Sequence, residues 1–156
     1  MRILGIDPGT GILGFGVIDI IKNQPVLVDG GVIRTPVKED DAVRLLTIYE
    51  ELTEIIKQTK PDMMSVEKLF FARNVTTAMT VAQARGVVLL CGMQSGLSIH
   101  EYTPMQIKQA ITGYGKADKK QMQEMVRVIL QLKEIPKPDD AADALAAAIT
   151  HSMTVR

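Results

Sequence analysis

The sequence predicts an α/β fold: a three-stranded antiparallel meander plus two parallel strands, forming one five-stranded mixed sheet flanked by helices. Two observations lead there. Three apolar runs within the first 34 residues are joined by short, turn-rich segments, and connections that short join antiparallel neighbours. Beyond them, segments of helical period alternate with strand-length apolar runs, and a strand reached across a helix can lie parallel to the first. With 156 residues, 46% of them hydrophobic, the chain suffices for one well-cored domain and is short for two, so residues 1–156 are read as a single unit.

The elements follow in order. Arg2 to Asp7 is an apolar strand, Leu13 to Ile21 resumes after Pro8-Gly9-Thr10-Gly11, and Val26 to Arg34 follows a turn at Lys22-Asn23-Gln24-Pro25. Ala42, Leu45, Leu46, Tyr49, Leu52, Ile55 and Ile56 recur at helical spacing among charged residues, the mark of an amphipathic helix. Residues 62–67 make a short strand after Lys60-Pro61. From Val75 to Ser95 the period is helical, but Arg85 is the only charge and Gly86 sits inside despite costing about 1 kcal/mol against Ala. A helix apolar nearly all round is central to the core or shared with a second subunit. A strand near Leu97 to Tyr102, a helix opened by Pro104, a Gly113-Tyr114-Gly115 turn, and helices from about Asp118 to Leu132 and from about Asp139 complete the chain. Pro136 and Pro138 separate the last two helices.

Composition narrows the setting. The single Cys91 lies next to the apolar run Val87-Val88-Leu89-Leu90, so no intramolecular disulfide can form and a reduced, buried thiol in a cytoplasmic protein is expected. The N-terminus opens on a strand rather than a secretion signal, and no segment is long and apolar enough to span a bilayer as a helix. Net charge is zero, which alone argues against a polyanionic partner, yet its distribution is uneven. From Pro104 to Lys137 the bases Lys108, Lys116, Lys119, Lys120, Arg127, Lys133 and Lys137 face only Asp118, Glu124 and Glu134. The remainder, including Glu39-Asp40-Asp41, is correspondingly acidic. A basic surface for a polyanion beside an acidic cation site fits this asymmetry, as does an ordinary solvated helix face.

Four acids stand out. Asp7 ends the first strand, Glu67 ends the strand expected beside it, and Asp140 and Asp143 stand three apart at the start of an alanine-rich helix, on one face. Each has a plain alternative. Asp7 can cap an Asx turn, Glu67 can be a solvated strand end, and acids in a first helical turn complement the helix dipole, with Asp139 or Asp140 as N-cap. Capping accounts less well for Asp143, which leads into Ala144-Leu145-Ala146-Ala147-Ala148-Ile149. Brought together, two carboxylates about 4 Å apart repel by roughly 4 kcal/mol at an effective dielectric near 20. Bound cations would offset that, and oxygen ligands suit Mg²⁺ or Mn²⁺. A metal-activated water needs no histidine base, and His100 and His151 lie outside this pattern as structural or surface residues.

The ordered blocks GIDPGT with GFGVI, VEKLFFARN, AQARGVVL, YTPMQIKQAITGYGKADKKQM and DDAADALAAAITH cover nearly the whole chain and resemble the RuvC family of bacterial Holliday junction resolvases. The resemblance implies an RNase H-like fold and a homodimer. It implies Mg²⁺-dependent nicking of two opposing strands of a four-way DNA junction, leaving 5′-phosphate and 3′-hydroxyl ends in recombination and repair. It also implies that Asp7, Glu67, Asp140 and Asp143 are the metal ligands, two ions per site, with Mn²⁺ able to substitute. Asp139 would then be left as the helix cap, a register that one residue would overturn. By the same similarity Phe70 stacks on unpaired bases at the junction centre, leaving Phe71 for the core, and aromatic stacking is worth roughly 1 to 3 kcal/mol per base. Lys108 and Lys119 carry over as DNA contacts, Lys119 beside the scissile phosphate. The residues themselves add Arg73, Asn74, Lys116 and Lys120 as candidate phosphate contacts. RuvA and RuvB branch-migration proteins are partners implied by resemblance only.

Two other readings compete. GIDPGTG also resembles the phosphate loop of the actin and sugar-kinase ATPases, but that architecture needs a second lobe, for which this chain is too short. A junction-binding module without catalysis is the other, and the presence of all four carboxylates speaks against it.

Overall fold

The computed structural model describes residues 1–9, 11–68 and 75–155, with Thr76 through its backbone alone. Its elements run β1 (Arg2–Asp7), β2 (Ile12–Ile21), β3 (Gln24–Arg34), α1 (Asp41–Thr59), β4 (Met63–Glu67), α2 (Val75–Gln94), β5 (Ser98–Tyr102), α3 (Pro104–Thr112), α4 (Lys119–Ile129) and α5 (Asp139–Thr154). The sheet order is β3-β2-β1-β4-β5. β1, β2 and β3 pair antiparallel, while β4 lies parallel to β1 and β5 parallel to β4. This is the mixed sheet expected from connection lengths, with β1 at its centre.

Strand alternation divides the core in two. Leu4 and Ile6 of β1, Leu13, Phe15 and Val17 of β2, and Met64 and Val66 of β4 pack against α1 and α2 through Ile48, Leu52, Ala84, Val88 and Cys91. On the other face Ile3 and Ile18 pack against α3, α4 and α5. Asp7 and Glu67 share the parity of Ile3 and Met63, so the same alternation that fills both layers directs their side chains to the α5 face. The amphipathic reading of α1 needs one adjustment. Ile48 is its central buried residue, whereas Ala42 and Leu46 face solvent, because the sheet takes up a narrower stripe than the seven apolar positions suggested.

Helix ends match local chemistry. Thr103 with Gln106, and Asp118 with Gln121, form reciprocal capping boxes at α3 and α4, and Gly113 closes α3 in the left-handed conformation. Asp118 is thus the cap of α4 rather than its first residue. α5 differs from expectation. Its N-cap is Pro138, with no side-chain cap bond, so Asp139 is the first residue of the helix and not its cap.

The approach of α5 to the sheet is unusually close. A methyl group at Gly5 would overlap the carbonyl oxygen of Ala144, and one at Gly14 would overlap that of Asp140. Ser65 Oγ donates to the Ala147 carbonyl at 2.6 Å, fully buried. Glycines in the strands and alanines in the helix therefore bring backbone against backbone, and the first turn of α5 comes to rest over the carboxyl end of β1 and the facing start of β2.

Candidate metal and nucleic-acid site

The close approach brings acids from both ends of the chain together. Carboxylate oxygens of Asp7, Asp140 and Asp143 lie within 4.8 Å of one another, and Glu67 lines one cavity with Asp7 and another with Asp143. Asp140 and Asp143 share a face because they are three apart on α5. Asp139, rotated away from that face, instead meets Lys119 Nζ at 3.4 Å, and the same nitrogen stands 4.0 Å from Asp143. The register question thus has a geometric answer among the described residues: Asp140 joins the cluster and Asp139 pairs with a lysine.

The electrostatics are those of crowded, desolvated anions. Burial, and then the charge of Glu67, push the Asp7 carboxyl up to about 9. Asp143 is raised to about 6, chiefly by burial, with Lys119 pulling the other way. Glu67 is raised by burial, while Asp7, Lys108 and Lys119 oppose the rise. Four carboxyl groups are held where they repel one another, with two lysines offsetting only part of the charge. An all-oxygen donor set under such strain fits a hard divalent cation.

Two openings flank the cluster. A cavity of about 290 Å³ is lined by Glu67, Lys108, Lys119, Asp143 and the start of α3, and one of about 220 Å³ by Asp7, Pro8, Glu67, Lys68, Val81, Arg85 and Pro104. Lys108 and Lys119 therefore stand at the carboxylates, whereas Lys116 is on the surface and Lys120 faces a neighbouring groove beside Tyr114. Phe70, Phe71, Arg73 and Asn74 lie outside the described residues. Lys68 and Arg85 also line the site, and neither stands out as a site residue from the sequence. The signal for Arg85 was present, since it is the single charge of a 20-residue helix.

The histidines are structural. His151 is buried, stacked on His100 with ring centroids 4.0 Å apart, and its Nδ1 lies 2.7 Å from the Tyr102 hydroxyl. Burial and His100 hold it down to about 4.

Comparison with known proteins agrees with this architecture. The profile of the family described as crossover junction endodeoxyribonuclease RuvC matches residues 3–151. Crossover junction endodeoxyribonuclease RuvC of Heliobacterium modesticaldum is 56% identical, the alignment covering 99% of this chain and 96% of that protein. The Brevibacillus brevis protein of the same name is 56% identical over 97% of this chain and 92% of its own length. Among solved structures, Thermus thermophilus RuvC in complex with a Holliday junction substrate superposes with a TM-score of 0.94 at 39% identity, over all of this chain and 95% of that one. The yeast mitochondrial Holliday junction resolvase Ydc2, at 11% identity and a TM-score of 0.71 over 96% of this chain and 77% of that one, shares the fold. A match this complete leaves no part of the chain for the second lobe of an actin-like ATPase, and the chain belongs to the RuvC family of crossover junction endodeoxyribonucleases.

Proposed function

We propose that this chain is a structure-selective DNA endonuclease that resolves Holliday junctions by symmetric nicking of two opposing strands, leaving 5′-phosphate and 3′-hydroxyl ends, in recombination and repair. Residues 1–156 act as one nuclease domain. The observation that carries the reading is the convergence of Asp7, Asp140 and Asp143 with Glu67 at the carboxyl end of the central strand, in a chain of this family.

Asp7, Glu67, Asp140 and Asp143 would hold two Mg²⁺ ions, with Mn²⁺ able to substitute. When bound, the ions supply an activated water for in-line attack on phosphorus and charge stabilisation at the leaving 3′ oxygen. Asp7, on the central strand, stands between Glu67 and the α5 aspartates and would be one of the ligands. Lys119, paired with Asp139 and near Asp143, is held where it can meet a phosphate oxygen, and Lys108 lines the same cavity. Lys116 and Lys120, both exposed, extend the basic surface along the junction arms. Phe70, Arg73 and Asn74, just past the catalytic glutamate, are assigned to the junction centre by family resemblance.

The working unit is a homodimer, as two simultaneous nicks require. Support comes from α2, where Val75, Met79, Leu90 and Met93 are each more than half exposed, and where a side chain at Gly86 would meet nothing within 4 Å. An apolar stripe interrupted by a bare backbone position is the surface on which a second α2 can pack. RuvA and RuvB are the partners the family implies, and the cytoplasm, in keeping with the buried reduced Cys91, is the compartment.

The test is incubation with synthetic four-way junctions and Mg²⁺. The parent should give paired, symmetric nicks, and Asp7→Asn should bind without nicking. Equal cleavage by both would remove Asp7 from the mechanism, and tight ATP binding without any cleavage would refute the nuclease assignment.

A further inference from the structure

We infer that Arg85 is a DNA-backbone ligand, its guanidinium held by Glu101 so that the rest of its fork meets a phosphodiester oxygen entering the cavity on the α2 side of the carboxylates. The inference deepens the nuclease reading and rests on it. Arg85 is the only charge in α2 and pairs with Glu101 of β5 through one terminal nitrogen. Its Nε is buried and has no hydrogen-bond partner among the described residues. With the side chain 24% exposed but the Nε itself shut off from solvent, contact with a ligand falls to the terminal nitrogens of the fork. Arg85 lines the 220 Å³ cavity together with Asp7, Glu67 and Lys68.

The charges in that cavity sort by side. Asp7 and Glu67 present oxygens suited to a cation, whereas Arg85 and Lys68 present donors suited to an anion. A nucleic-acid strand laid across the carboxylates carries its next phosphate one nucleotide from the reacting one, and that phosphate needs cationic cover to sit near four acids. Arginine is suited to this role, because its planar fork can keep one edge on Glu101 and offer another to phosphate. A purely structural Arg85–Glu101 pair would lock α2 to β5 equally well, so the test must separate locking from binding.

Junction binding is measured in EDTA, so that no readout depends on cleavage, by titration across a salt series for the parent, Arg85→Lys, and the double variant R85Q/E101Q, which leaves no charge unpaired. The double variant is expected to keep the parent's circular dichroism and bind about tenfold more weakly. Its log–log salt slope should be shallower by about one for each phosphate that the arginine no longer neutralises. Arg85→Lys should retain part of the slope and lose affinity about threefold. Replacing single phosphates next to the cleavage site by neutral methylphosphonates should weaken the parent at one position to which the double variant is indifferent. Parent-like affinity and slope in a folded double variant would overturn the proposal. If that variant does not fold, Arg85→Lys decides, and a lysine variant with the parent's affinity and the same methylphosphonate response overturns it. Failure of the parent itself to prefer junctions over duplex would instead refute the nuclease reading.

Discussion

Two aspartates, Asp19 of β2 beside the start of β1 and Asp7 at its finish, stand in opposite condition. At the start, Asp19 receives Arg2 Nε at 2.8 Å and Nη2 at 2.8 Å, and the Arg2 backbone N–H donates to Asp62. The hydrogen bonds and charge of Arg2 hold the Asp19 carboxyl below its usual range. At the finish, Asp7 is half-buried beside three more acids and pushed up to about 9. One end of the strand has its charges matched within the chain, and the other leaves them for something the chain does not contain. Unmatched charge in a well-packed region marks a functional site, whereas matched charge marks a structural one.

The largest expected difference between the ends is in activity. Asp7→Asn should reduce junction cleavage by about 10³-fold or more, since metal-assisted stabilisation is worth several kcal/mol and each 1.4 is tenfold. Next comes the contact that builds the site. Gly5→Ala should force α5 off the sheet and cost about 3 kcal/mol, read as a lower urea midpoint, with cleavage lost as the aspartates move.

A smaller effect lies in pH dependence. The folded state holds the Asp7 proton up to about 9 against an unfolded value near 3.8. The stability this contributes is complete below the unfolded value and is lost as pH rises toward 9. Glu67, also raised, acts with the same sign, while Asp143, raised to about 6, completes its loss earlier. His151, held down to about 4, works oppositely only below about 6.5. In EDTA, urea unfolding of the parent between pH 6.5 and 9 should therefore show stability falling by up to about 1.4 kcal/mol per pH unit. Asp7→Asn should flatten that slope, and a flat parent profile would contradict the burial argument. Smallest is Asp19→Asn at the matched end. It should cost about 1 kcal/mol, because both side chains of the pair are partly solvated, and leave cleavage at the parent's rate. Cleavage that fell with Asp19 as it does with Asp7 would erase the distinction between the two ends.

Much of this was legible in the chain itself, for reasons tied to particular residues. Short connections at Pro8-Gly9-Thr10-Gly11 and Lys22-Asn23 leave the first strands no choice but antiparallel pairing, and helix-length insertions allow β4 and β5 to run parallel. Asp7 and Glu67 were readable as strand-end acids because strand periodicity is local. Less legible was which face of α1 is buried, since Leu46 and Ile48 are equally apolar and only the sheet beneath them selects Ile48. Arg85 was visible as an isolated charge, but its meaning needs Glu101 and the cavity, both brought to it by folding.

The antiparallel meander, the helical periods and the positions of the four acids follow from the sequence alone, because they depend on spacing along the chain. Which aspartate of the pair Asp139-Asp140 joins Asp7 was decided only in three dimensions. Missing side chains at Gly5 and Gly14 let α5 settle against β1 and β2, and the helical rotation of about 100° per residue then turns Asp140 toward Asp7 and Asp139 toward Lys119. That rotation is local, but the surface it is measured against is made by residues more than a hundred positions away.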